Sequence, residues 1–342
     1  LYNCALTPPE WIAAHGFTPR RVVAMQPRPH ATTTYDGCCA VATALIHTVT
    51  ELALRPDPQT NGQAIAAVVI ATTCDQIRRA AEELGSTLHT QHPTAPPVLW
   101  LHWPATWQTA AAQRLYRQEL RRLGTALVRL GGAAPSKPEL TRVMLEHQER
   151  RAALCAQAPH LTGRQRAAAF AQYHGDLEGA PEPDTPAAAA LRSHQQDGVP
   201  LGLLGAEMPR DQWWLYDAIE AHGGRVALDA GDDGERGLPQ PFEGRLLHDD
   251  PLEALAAAYF DQPPLLRQRP NTPFHAWLKN ALQRRPLRGL IVRRTAWCDL
   301  WLAELPRIKA STGLPMLDLD LDAADAPARA AGRIAAFLEM LR

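Results

Sequence analysis

Short runs of apolar and β-branched residues alternate along the chain with longer stretches in which apolar positions recur every three or four residues. In the first third, "RRVVAM", "AIAAVVIAT" and "PVLWLHW" read as strands. "CCAVATALIHTVTELAL" and "CDQIRRAAEELG" read as helices between them, the second stopped by Gly85. From about Trp107 to Arg192 the pattern changes. "QTAAAQRLYRQELRRLGTALVRLG" and "ELTRVMLEHQERRAALCAQA" are strong helix formers at helical spacing, with no strand run between them. The Pro-rich "GAPEPDTPAAAA" that follows reads as an exposed connector. Alternation then resumes: the strand run "VPLGLLG", the helix "DQWWLYDAIEAHGG" and the strand "RVALDAG". The helices "PLEALAAAYF" and "PFHAWLKNALQRR", the strands "RGLIVRR" and "LPMLDLDLD", and a closing helix "APARAAGRIAAFLEML" complete the chain. Such alternation predicts an α/β protein with two open, mostly parallel-sheet, Rossmann-like domains, 1–106 and 193–342. A helical segment and linker, 107–192, lies between them.

Composition narrows the functions. With 342 residues, 46% of them hydrophobic and 21% charged, the chain can bury one large core or two joined ones. The net charge of −1 and the lack of a Lys/Arg run interleaved with aromatics give no electrostatic footprint for nucleic acid or an anionic membrane. No run of about eighteen apolar residues is long enough to span a bilayer. The opening "LYNCALTPPE" lacks the charged-then-apolar pattern of a signal peptide, so a cytoplasmic location is expected. The six cysteines are too sparse for a disulfide scaffold and match neither CxxC zinc pairs nor ferredoxin spacing.

Their placement is more informative. Open parallel sheets bind ligands beyond the carboxyl ends of their strands. Cys74 follows "AVVIAT" and heads a helix, Cys298 follows "GLIVRR" and heads another, and Cys38 and Cys39 open a third after the loop "HATTTYDG". A helix N-terminus favours the metal-binding thiolate. If the two α/β regions face one another, three sulfurs converge. That set suits an iron–sulfur cluster with one iron left open to a hydroxyl or carbonyl oxygen. The plainer alternative is packing, since a small thiol at a strand end is usually buried filler. Zinc would need a fourth ligand, and none of the thirteen histidines stands at characteristic spacing; His47 falls on a helix.

These segments carry a family resemblance that runs nearly end to end. "NCALTPPEWIAAHGFTPRRV", "DGCCAVATA", "ATTCDQIRRA", "AIEAHGGRVALDAGDDGERG", "PLEALAAAYF" and "RGLIVRRTAWCDLWLAELPRIKASTGLPMLDLDLD" resemble, in this order, the 2-hydroxyacyl-CoA dehydratase D-component family. That family includes the catalytic subunits of ATP-dependent benzoyl-CoA reductases and double-cubane-cluster proteins. The resemblance implies a 4Fe-4S cluster held where two α/β domains meet, with Cys39, Cys74 and Cys298 as ligands and Cys38 as the alternative to Cys39. It also makes Glu10 a candidate polar group near the substrate, with a helix-start carboxylate as the other reading. Asp75 and Asp299, each following a cluster cysteine, become supporting candidates. The implied activity is 2-hydroxyacyl-CoA dehydration, or benzoyl-CoA reduction, by anaerobic radical chemistry on an acyl-CoA thioester. The low-potential electron would come from an ATP-hydrolysing iron–sulfur activator. A homologous second subunit, or a second copy of the chain, is the implied partner.

Two departures bear on this. The second region opens with "LLGAEMP", where many relatives have Gly-Cys-Pro or Gly-Ser-Pro, and "FDQPPLLRQRPNTPFHAW" lacks a further cysteine often found there. Trp100, Trp103, Trp107, Trp213, Trp214, Trp297 and Trp301 are expected either to line an acyl pocket or to fill the core. Two competing readings remain: a double-cubane-type reductase of small molecules, and a non-catalytic partner or ligand-binding protein that keeps the fold. No P-loop is present, so ATP use would belong to a partner.

Overall fold

The computed structural model describes residues 1–22, 38–54, 65–91, 95–175, 198–262, 265–295, 298–321 and 326–342. The connector "GAPEPDTPAAAA", the loop "HATTTYDG", Trp297 and the second half of the expected strand "RRVVAM" lie outside these residues.

The fold is mixed α/β with parallel sheets. The first sheet pairs β1 (Val68–Ala71) with β2 (Val98–Leu101) in parallel, Val69 opposite Leu99. Tyr2 forms parallel bridges to both Val69 and Arg21, so the chain start lies between β1 and the beginning of the expected first strand. Val68 and Ile70 point to one face, where they pack on α2 (Ala40–Leu54) and α3 (Asp75–Gln91). Val69 and Ala71 point to the other. There they join a core built with α1 (Pro9–Ala14), α4 (Ala110–Arg129) and α5 (Lys137–Gln157).

Gly85 does not stop α3, contrary to the sequence expectation; the helix continues to Gln91. One glycine costs a helix about 1 kcal/mol relative to alanine. Leu84 and Leu88, both buried, carry the apolar stripe across it and outweigh that cost.

The long stretches after Trp107 form α4 and α5 as expected, followed by α6 (Gly163–Tyr173), which starts in a capping box between Thr162 and Gln165. The second sheet has four parallel strands: β3 (Val199–Gly205), β4 (Gly224–Gly231), β5 (Gly289–Arg294) and β6 (Met316–Asp320). Their order is β4-β3-β5-β6. Helix α7 (Trp214–Ala221) connects β3 to β4. Helices α8 (Gly244–Asp249), α9 (Pro251–Phe260) and α10 (Thr272–Arg284) lead from β4 to β5. Helices α11 (Asp299–Thr312) and α12 (Ala326–Leu341) flank β6.

Strand periodicity again divides the side chains between two faces. Leu201, Leu203 and Ile291 pack with α7 and α12, while Leu204, Leu290 and Val292 pack with α10 and α11. Burial on both faces explains why these strands read as continuous apolar runs. Gly313, at φ 66°, ends α11 in the left-handed conformation and turns the chain into β6. Strand order reverses between β3 and β5. That is the switch point where an open α/β sheet leaves a crevice at its carboxyl edge.

Among the described residues, no helix is long and apolar enough to cross a membrane.

Candidate functional site

A cavity of about 320 Å³ opens beyond the carboxyl ends of both sheets. Its wall takes in Thr73–Ile77 after β1, Ala206 and Glu207 after β3, Asp232 and Arg236 after β4, and Thr295 and Cys298–Trp301 after β5. The start of α2 and the chain start supply Cys39 and the pair Asn3 and Cys4.

Cys39, Cys74 and Cys298 line this one cavity. Each holds the same local position. Its carbonyl oxygen accepts the first helical N–H, from Thr43 at 2.9 Å, Arg78 at 3.0 Å and Leu302 at 3.1 Å respectively. All three are therefore the caps of their helices, and none is in a disulfide. The Cys74 sulfur itself accepts the N–H of Ile77 at 3.4 Å, as a capping serine would. At Cys298 the sulfur makes no such capping hydrogen bond, though the backbone of Trp301 works against the rise in its pKa. The Cys39 N–H donates to Oε1 of Gln76 at 2.7 Å, which fastens the start of α2 to the first turn of α3.

Burial and then the neighbouring thiols oppose ionisation here. Desolvation pushes the Cys74 thiol up to about 11, with Cys39 and Cys298 adding to the rise against the backbone donors. Burial likewise raises Cys298, with Cys39 contributing. Cys74 and Cys298 thus each feel the charge of Cys39, and a cation placed among the thiols would favour their ionised form. Among the described residues no three His, Cys, Asp or Glu side chains are grouped closely enough to hold a single metal ion.

Cys38 is half-buried against α2 and α3 and does not line the cavity, whereas its neighbour Cys39 does. Cys4 does line it, a fourth thiol that sequence reasoning missed. No strand or helix signal marks Cys4; its place follows from the bridge between Tyr2 and β1. Asp75 is 77% exposed at the rim and sits 3.5 Å from Arg267 Nη2. Asp299, also exposed, shares the rim at the first position of α11.

Glu10 does not line the cavity. It is wholly buried in the helical region, paired with Arg151 of α5 and accepting a 2.7 Å hydrogen bond from the Tyr259 hydroxyl of α9. It stands in the first turn of α1, as the helix-start reading expects, and residues of two other helices bind its oxygens.

The tryptophans divide in a similar way. Trp103, Trp107 and Trp213 are core residues. Trp100 stacks on His102, and Trp214 packs at the edge of the second core. Trp301 alone among the described ones reaches the cavity, with Arg236 5.7 Å from its ring centre.

The polar floor of the cavity is held from behind. Arg293 of β5 donates to the carbonyls of Ala206 at 2.5 Å and Glu207 at 2.6 Å, fixing the loop after β3. Arg236 donates to Ala230 at 2.9 Å and pairs with Asp232. Behind that layer lies Asp229, whose carboxyl is pushed up to about 6 by burial and by Asp233.

Parallel strands that end around a shared, thiol-lined crevice define an α/β protein whose site is assembled from loops of both sheets. The chain belongs to the 2-hydroxyglutaryl-CoA dehydratase D-component family, which it matches over residues 4–341. It is on that ground a dehydratase-type subunit, and a D-component implies a partner component. No curated protein matches it.

Proposed function

We propose that Cys39, Cys74 and Cys298 hold a 4Fe-4S cluster and that the chain is the iron–sulfur subunit of a CoA-thioester dehydratase or benzoyl-CoA-type reductase. The observation that carries this reading is the convergence of three helix-capping cysteines on one cavity. The donor set fits the group: three thiols, one of them with a backbone N–H directed at its sulfur, and no histidine in the described wall. The thiols stand around a space larger than one ion needs. In this reading the two sheets are the centres of two Rossmann-like domains, 1–106 and 193–342, joined by the helical segment 107–192.

When bound, such a cluster supplies one-electron chemistry at potentials as low as about −700 mV. The chain's own residues do the rest. Trp301 and Leu300 close one wall against water, and Leu45 and Ile77 another. Arg267 donates to the Thr72 carbonyl at 2.8 Å and keeps the Cys74 loop against the opposite region. The thioester enters past the exposed rim at Asp75 and Asp299. An ATP-dependent activator supplies the electron, and a homologous subunit or second copy completes the complex, in the cytoplasm.

Anaerobic reconstitution with iron and sulfide tests the reading. About four irons and four sulfides per chain, with the broad visible absorbance of a cluster, are expected. A colourless, iron-free protein after reconstitution would sink it.

A further inference from the structure

A second cavity, of about 310 Å³, lies beside the edge strand β4 between the ends of α5 and α10, and none of Cys39, Cys74 and Cys298 lines it. Its described wall holds four guanidinium groups, from Arg166 of α6, Arg225 of β4 and Arg284 and Arg285 at the end of α10, against one carboxylate, Glu235. That carboxylate is taken: Arg285 Nη1 and Nη2 donate to its two oxygens at 2.9 and 2.6 Å. Among the described residues, Arg166, Arg225 and Arg284 form no ion pair. Arg166 is held by carbonyls alone, Nε donating to Ala158 at 3.2 Å and Nη1 to Val226 at 2.8 Å, although only 7% of the residue is exposed. Arg225 uses its Nε on the Gly198 carbonyl at 3.2 Å, and the Arg284 side chain makes no hydrogen bond to a described residue.

Like charges gathered around one space repel, and a buried guanidinium without a counter-charge is costly. An anion in the cavity removes both penalties. Phosphate oxygens suit it, because the guanidinium fork matches them in charge and geometry. A lone carboxylate would leave most of the excess charge uncompensated, whereas a diphosphate, with about three negative charges at neutral pH, matches the three unpaired arginines. The volume leaves room for an attached organic group against Pro159, Phe170 and Pro286. We infer that this cavity binds a small organic diphosphate, of the nucleoside diphosphate class, at a site separate from the thiol-lined one. The inference does not depend on what the thiols hold.

Calorimetric titration of the full chain with ADP, pyrophosphate and adenosine tests it. ADP and pyrophosphate should each bind at least about tenfold more tightly than adenosine, the effect expected of charge-assisted hydrogen bonds. Arg284→Gln, which breaks no hydrogen bond or ion pair in the folded chain, should weaken ADP about tenfold, and Arg225→Gln should do the same. Arg121→Gln, which removes an exposed guanidinium of α4 outside the cavity, should leave the affinity unchanged. Thiol alkylation followed by mass spectrometry reads the location independently. Cys155 is exposed in the cavity wall, so saturating ADP should at least halve its rate of modification and leave Cys39, Cys74 and Cys298 unaffected. Protection of those three in place of Cys155 would put the diphosphate in the thiol-lined cavity and overturn the inference. So would an affinity unchanged in both Arg225→Gln and Arg284→Gln, an equal loss in Arg121→Gln, or a wild type that binds neither ADP nor pyrophosphate.

Discussion

Arg267 Nη1 donates to the carbonyl oxygen of Thr72 at 2.8 Å, so a residue just ahead of α10 holds the loop that ends in Cys74. The same guanidinium stands 3.5 Å from Asp75, the first residue of α3. Two segments of the chain 195 positions apart are thereby joined at the cavity rim. Arg267→Gln should cost about 1–3 kcal/mol in urea unfolding, the range for a hydrogen bond from a charged group. Arg78→Gln, which breaks only an exposed pair with Glu82, should stay within about 0.5 kcal/mol. Equal losses in the two variants would show that Arg267 is not a tie.

Substitution of the thiols separates ligands from bystanders. Cys39→Ala, Cys74→Ala and Cys298→Ala should each lower iron retained after anaerobic reconstitution by half or more, whereas Cys38→Ala should match the wild type. Iron analysis alongside the cluster absorbance is the measurement. Loss on Cys38→Ala with retention on Cys39→Ala would reverse the assignment drawn from the cavity wall.

Glu10 should matter for stability and not for the ligand. Arg151→Ala leaves its carboxylate buried with only the Tyr259 hydroxyl as partner, a situation that costs about 3–5 kcal/mol. Glu10→Gln leaves the Arg151 charge with the Tyr173 hydroxyl, 3.2 Å away, and should be destabilising in the same direction. Thioester affinity, measured at a temperature where the variants are folded, should not change. A fall in affinity without a fall in stability would return Glu10 to the substrate.

Asp229 sets a pH dependence. Burial, then Asp233, raises its carboxyl to about 6 from an ordinary 3.8. The folded state therefore binds more protons than the unfolded state between these values. Its contribution is fully present below about pH 4 and is lost as pH rises through about 6, an effect of about 3 kcal/mol. Denaturant titrations at pH 4, 5, 6 and 7 should show Asp229→Asn losing less stability across that span than the wild type does. Parallel curves would mean that the group titrates normally.

The chain's pattern disclosed what depends on neighbours in sequence. Runs such as "GLIVRR" announced strands because both their faces are buried, and the cysteines at helix starts were visible as starts. Distant partners were not visible. Glu10 and Arg151 are 141 residues apart, and neither carries a sign of the other. Sequence favoured Cys39 over the adjacent Cys38, and in the fold Cys39 is the one of the two that lines the cavity. Cys4 and Arg21 looked like ordinary members of the opening segment; the parallel bridges at Tyr2 carry them to the cavity floor. Gly85 failed as a stop because tertiary burial of Leu84 and Leu88 overrides a local preference.

Helices α2, α3 and α11 all begin at the cavity wall. Each start carries roughly half a positive charge from its aligned peptide groups. That charge belongs to the main chain, so it neither titrates nor disappears on substitution of a side chain. An added electron is lower in energy there than in a neutral surrounding. The scaffold itself therefore biases whatever occupies the cavity toward its reduced form, and a variant stripped of every charged side chain around it would keep that bias.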